Sequence, residues 1–177
     1  MSHRTRRRQI GASLVEATIA LAVTGTLAGS LLPGWHEARD RRQLEAASAQ
    51  LATDLRLARS LAVAQGQSVR LRVVSAQACY VVHTGPAAAC SCDAAGQPVC
   101  SGDALALRVA TLPGDGRLGM SASSASMLFD AGRGTVTPTG TVRLHTADGR
   151  AVHHVVNIMG RVRTCSPGAR VPGHAAC

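Results

Sequence analysis

The feature that most constrains this chain is the run RRRQIGASLVEATIALAVTGTLAGSLLPGW at residues 6–35, where arginines lead into a long apolar stretch. From Ala12 to Leu32 that stretch is 21 residues long, close to the ~20 a helix needs to span a bilayer. It contains one carboxylate, Glu16. A charge at the centre of a membrane helix costs on the order of 2.5–3.5 kcal/mol, so Glu16 calls for a compensating cation. A secretory signal has an apolar core of only about 7–15 residues and a small-residue cleavage site after it. Here Pro33-Gly34-Trp35 follows the run, and the small residue, Gly11, precedes it. Cleavage between Gly11 and Ala12 would remove the arginines and keep the apolar segment. The arginine cluster predicts a cytoplasmic N-terminus, with the remainder beyond the membrane. An ordinary signal anchor with an incidental glycine and glutamate is the competing reading.

Beyond Pro33-Gly34, a pair expected to kink or loosen a helix, Leu44, Ala47, Leu51, Leu55, Ala58 and Ala62 recur at helical spacing, and Gly66 ends the pattern. The two segments together predict one helix of roughly 80 Å at 1.5 Å per residue. From Ser68 the period falls to two. VRLRVV (69–74) and CYVVH (79–83) read as a hairpin, and residues 84–103, rich in Gly, Pro, Ala, Cys and Asp, read as a stapled loop. Further strands are expected at 104–112, 126–130, 141–146, 151–158 and 161–165, with Asp148-Gly149 as a hairpin turn. A helix followed by antiparallel strands defines an α+β fold. Four segments result: a leader at 1–11, a membrane helix at 12–33, to which the resemblance given below adds a role in assembly, an amphipathic helix at 34–66 and a β-rich domain at 67–177.

Charge and cysteine content narrow the function. All 19 basic residues are arginine. That bias fits a GC-rich genome, yet arginine still offers the bidentate grip on phosphate that lysine lacks. Without the four arginines before the apolar run, fifteen arginines face ten acids; residues 131–177 alone carry six against the single Asp148, a net +5. A basic C-terminal third suits an anionic partner such as nucleic acid or a lipid surface. The six cysteines, Cys79, Cys90, Cys92, Cys100, Cys165 and Cys177, suggest disulfides in an oxidising compartment. Short loops favour Cys165 with Cys177, and the other four pairing among themselves. A zinc site on Cys90, Cys92 and Cys100 lacks the paired C-x-x-C spacing. His153 and His154 would face opposite sides of a strand, and His36, His83, His145 and His174 are isolated, so no metal or other cofactor is expected. No G-x-S-x-G, H-E-x-x-H or phosphate-binding loop is found, and no catalytic role is expected.

The segment GASLVEATIALAVTGTLAGSLLP resembles the N-terminus of type IV pilins and pseudopilins, whose usual run Gly-Phe-Thr-Leu-Ile-Glu reads Gly11-Ala12-Ser13-Leu14-Val15-Glu16 here. The resemblance implies leader removal at Gly11 by a prepilin peptidase, and a Glu16 that neutralises the terminal amine of a neighbouring subunit. A second stretch, MLFDAGRGTVTPTGTVRLHTADGRAVHHVVNIMGRVRTC, is similar to minor pilins of the FimT and GspH family. FimT-like members belong to type IV pili, and some bind DNA during natural transformation through a Gly-Arg-x-Arg motif. This chain matches that motif at Gly160, Arg161 and Arg163. GspH-like members belong to the pseudopilus of type II secretion.

On a strand, Arg161 and Arg163 would share a face about 6.6–6.8 Å apart along the chain, near the spacing of successive phosphates. Arg143, Arg150 and Arg170 could broaden the patch. With few aromatic residues to stack on bases, contact would be with the backbone and independent of sequence. A solvated edge carrying no ligand is the competing reading of the same residues. The expected partners are other pilins or pseudopilins, the prepilin peptidase, the inner membrane and DNA. A GspH-like pseudopilin with a purely structural role is the alternative, and a membrane-anchored periplasmic enzyme a more distant one.

Overall fold

The computed structural model describes residues 13–169 and 171–177, so Gly11, Ala12 and Arg170 lie outside the described residues. The chain divides into two units, Met1–Arg39 and Asp40–Cys177. Helix α1 is assigned without interruption over Leu14–Gln65. It therefore continues through Pro33-Gly34: proline removes one amide donor there without ending the helix.

In the first unit, Glu16 stands in the first turn of α1, and Leu14, Ile19, Leu21 and Leu27 are exposed. The hydroxyls of Thr18 and Thr26 donate to the carbonyls of Val15 at 2.8 Å and Val23 at 2.9 Å, and Thr24 donates to Ala20. These bonds satisfy polar groups within the helix itself, which an apolar medium requires. Among the described residues, no helix is long and apolar enough to cross a membrane.

The second unit is built on the 3.6-residue stripe of α1 after Asp40. Leu44, Leu51, Leu55, Ala58 and Ala62 are fully buried there, and Gly66, at φ +61°, ends the helix. The chain then forms β1 (Val69–Val74), β2 (Cys79–Thr84), β3 (Cys90–Cys92), β4 (Pro98–Cys100), β5 (Ala106–Thr111) and β6 (Leu118–Ala122). It continues with β7 (Ser126–Phe129), β8 (Val136–Thr137), β9 (Gly140–Thr146), β10 (Ala151–Val156) and β11 (Val162–Cys165). A five-stranded sheet has the order β5-β2-β1-β7-β8, a four-stranded sheet the order β11-β10-β9-β6, and β3 pairs with β4; all the strand pairings are antiparallel.

One core joins α1 to the inner faces of both larger sheets. Leu71, Val82, Met127 and Phe129 come from the first, and Met120, Val142, Leu144 and Val152 from the second. Two buried polar ties supplement it. Tyr80 on β2 donates to Asp54 of α1 at 2.6 Å, and Arg108 of β5 lies 3.4 Å from the same carboxylate. Burial, reinforced by Asp54, pushes the Tyr80 phenol far above its ordinary range. On the other sheet, Ser48 Oγ and His154 Nε2 lie 3.1 Å apart.

The stretch read as a stapled loop contains the β3–β4 hairpin. Asp93 Oδ1 shapes its turn by accepting from the amides of Ala95 at 2.9 Å and Gln97 at 2.8 Å. Cys90 is bonded to Cys100 across the hairpin, and Cys92 to Cys79 of β2. The hairpin therefore covers the outer face of β2, and Cys79, Val81, Cys90, Cys92 and Ala104 form a second small core. The third disulfide, Cys165–Cys177, folds the C-terminus back on β11. Among the described residues, every core residue and all three disulfides fall within Asp40–Cys177, so this unit holds together on contacts of its own.

Candidate functional site

The turn from β10 to β11 sets the geometry of the candidate site. Gly160 donates its amide to the Asn157 carbonyl at 2.9 Å, the Asn157 amide donates to the Arg161 carbonyl at 3.1 Å, and the Asn157 side chain accepts from the Arg161 amide at 2.9 Å. Gly160 sits at φ +70°, a conformation that disfavours side chains. Space excludes one as well: a Cβ there would lie 2.5 Å from the Gly134 carbonyl oxygen and 2.7 Å from Cδ of Arg59.

Arg161 belongs to this turn, and β11 starts one residue later, at Val162. The strand expected from 161 is thus one residue shorter, because Asn157 claims the Arg161 amide and carbonyl. Arg161 and Arg163 are both exposed, while Val162 between them packs against the core. Val155 of β10 lies opposite Arg163, and Arg143 of β9 lies opposite His153. Arg143 and Arg163 therefore share the outer face of the four-stranded sheet, two strands and two positions apart, roughly 12 Å by strand geometry. Burial, and then Arg143, lower the affinity of His153 for a proton.

Arg150 stands apart from Arg161 along the sheet. It precedes β10, at the opposite end of that strand from the Gly160 turn, and pairs with Asp148 at 3.2 Å. Asp148 is held below the usual carboxylate range by a hydrogen bond from Thr146 and by contacts with Arg150. The hairpin that places Arg150 there also makes it a partner of its own turn.

Three arginines that spacing alone did not single out complete the surroundings of Arg161. A cleft of about 650 Å³ is lined by Arg56, Arg59, Ser60 and Val63 of α1, Arg133 of the β7–β8 turn, and Gly160, Arg161 and Val162. Arg59 Nε donates to the Gly134 carbonyl at 3.1 Å, which fixes its guanidinium. Asp130, the carboxylate of that turn, accepts from the amides of Gly132 and Arg133, each at 3.0 Å. Among the described residues, Arg56, Arg133, Arg161 and Arg163 form no ion pair. The sequence signal was available: Arg56 and Arg59 are three apart, beside the apolar stripe of α1.

The adjacent histidines separate as strand alternation requires. His154 is fully buried between Ser48 and Thr164 Oγ1, the latter 3.3 Å from Nδ1. Burial, with smaller contributions from His174, Arg56 and His153, brings its pKa down to about 4, so it is neutral at pH 7. A serine and a histidine meet here, but in the core, where no substrate reaches them. Among the described residues no group of histidines, cysteines and carboxylates could hold a metal ion.

A long N-terminal helix whose second half packs on antiparallel sheets is the fold of pilin-like subunits. It matches the minor pseudopilin EpsH from the type 2 secretion system of Vibrio cholerae, with TM-score 0.52 and 14% identity over 71% of this chain and 98% of that one. It equally matches the type IV minor pilin FimU of Pseudomonas aeruginosa, with TM-score 0.52 and 20% identity over 76% of this chain and 96% of that one. The chain belongs to the GspH family, described as type II transport protein GspH, whose profile matches residues 47–160. The match ends at Gly160, so Arg161 and Arg163 stand beyond it. No curated protein sequence matches the chain.

Proposed function

We propose that this chain is a FimT-like minor pilin that takes part in pilus assembly and binds DNA through its phosphate backbone for uptake in natural transformation. In this reading residues 1–11 are a leader cut between Gly11 and Ala12 by a prepilin peptidase. Residues 12–33 anchor the subunit in the inner membrane, with the N-terminus cytoplasmic, and pack in the filament. Glu16 meets the terminal amine of a neighbouring subunit. Residues 34–66 carry the helix into the domain of residues 67–177, which lies in the periplasm. The protein acts by binding and assembly, without catalysis.

The observation that carries the reading is the pair Arg161 and Arg163, exposed on either side of a core-packed valine, with no acidic partner among the described residues. Two arginines so placed suit neighbouring phosphates and carry no base code. The test is binding of a short mixed-sequence duplex by Asp40–Cys177. The wild type should bind with an affinity that falls steeply with salt, and Arg161→Gln/Arg163→Gln should weaken binding at least tenfold. Equal binding by the two proteins, or none by the wild type, would sink this function.

A purely structural role as a minor pseudopilin of type II secretion is the second reading. It is favoured by the family description and by the equal likeness to EpsH. Both readings share the leader. Replacing Gly11 with Val should leave a longer precursor visible by mass spectrometry of the membrane fraction, and unchanged processing would refute the cleavage site.

A further inference from the structure

We infer that the cleft between α1 and the β7–β8 and β10–β11 turns is a phosphate seat, in which Arg59 is the preset donor and Arg56 and Arg133 are the walls. The inference deepens the DNA-binding reading and rests on it for the polymer, but the site itself requires only a phosphate group. Its floor is unusual. Gly134 and Gly160 both adopt positive φ and both lie against Arg59: a Cβ on either would come within 3.0 Å of that side chain. The two turns thus leave room for one guanidinium. The Gly134 carbonyl then holds its Nε, leaving the terminal nitrogens to donate.

Arg56 and Arg59 are three residues apart on one helix, a spacing that makes their side chains neighbours. Arg133 and Arg161 approach from the two turns, so four guanidiniums line a cleft of about 650 Å³ whose lining includes no carboxylate. Four like charges around one space repel each other, and a bound anion reverses the sign of that interaction. The nearest acid of the turn, Asp130, already accepts two backbone amides. Guanidinium groups in a fork geometry match phosphate oxygens better than they match a diffuse counterion. A backbone phosphate seated here would continue onto Arg163 along β11. The Gly-Arg-x-Arg stretch would then be the outer half of a longer track that begins on the helix.

The deciding variant is Arg56→Gln/Arg133→Gln in Asp40–Cys177. Both side chains are exposed, and an unchanged thermal unfolding profile checks the fold. Duplex affinity should fall about tenfold, and the slope of log affinity against log salt should drop by about 1, the loss of one phosphate contact. Inorganic pyrophosphate, followed by amide chemical shifts, is the second arm. It should perturb Arg59, Arg133 and Gly160 saturably in the wild type and not in the variant. If Arg161→Gln/Arg163→Gln abolishes duplex binding while the Arg56/Arg133 variant binds as the wild type does, the cleft is overturned and the DNA reading stands. If the wild type binds pyrophosphate in the cleft but no duplex, the seat stands and the DNA reading falls. If pyrophosphate leaves those amides unmoved, the seat is refuted.

Discussion

Gly160→Val should lower the stability of Asp40–Cys177 by about 2–4 kcal/mol, which for a unit of this size is a drop in melting temperature of roughly 5–15 °C. Two costs add. A β-branched residue at φ +70° is strained in any context. Here its Cβ would also lie 2.5 Å from a backbone carbonyl oxygen, that of Gly134, and backbone cannot rotate out of the way as a side chain can. Arg59, 2.7 Å from the same point, has to leave its bond to Gly134. Duplex affinity should therefore fall by more than the unfolded fraction explains. Gly160→Ala should show a smaller loss with the same sign. A Gly160→Ala protein that melts with the wild type would mean that the two turns do not approach as described.

The second large effect is acid lability. His154 has a folded pKa of about 4, against roughly 6.5 in an unfolded chain. Between those values the unfolded chain binds a proton that the folded one does not, so stability is complete above pH 6.5 and is lost as pH falls towards 4. The difference of about 2.5 units corresponds to roughly 3 kcal/mol. His83, also buried and shifted in the same direction by desolvation, adds to the slope. Chemical denaturation at pH 7, 5.5 and 4 should show this loss, and His154→Gln should flatten it while leaving the His83 part. A variant as acid-sensitive as the wild type would remove His154 from the account.

The second half of α1 was legible because its pattern is local: Leu44, Leu51, Leu55, Ala58 and Ala62 repeat at the helical period and all are buried. The hairpin of β1 and β2 was legible for the same reason, at period two. Strand β6 was not. Gly119 interrupts its alternation, and the imidazole of His145, its cross-strand partner, covers it so closely that a Cβ would lie 2.4 Å from Nε2. That contact spans 26 residues of chain, and no window of sequence reports it. The site divided in the same way. Arg161 and Arg163 stood out as neighbours, whereas Arg56, Arg59 and Arg133 become their neighbours only once α1 lies across the turns. Arg150 stands at the far end of β10 from Arg161, a separation that only the strand pairing reveals.

The ties of Asp54 to Tyr80 and of Ser48 to His154 bear on how α1 resists being dragged along its own axis. Its apolar stripe repeats itself only in part: four residues on, leucine follows leucine at 51 and 55 and alanine follows alanine at 58 and 62, but Ser48 follows Leu44 and Arg59 follows Leu55. A slip of one turn, about 5.4 Å, would thus bring a serine and an arginine to the places of two buried leucines. It would also carry Asp54 away from the phenol at 2.6 Å and Ser48 away from the imidazole at 3.1 Å, stranding buried polar groups at about 1–3 kcal/mol each. The two bonds work as detents that add to the apolar stripe: leucines and hydrogen bonds agree on one parking position for the helix, and four side chains supply the polar share of its resistance to shear.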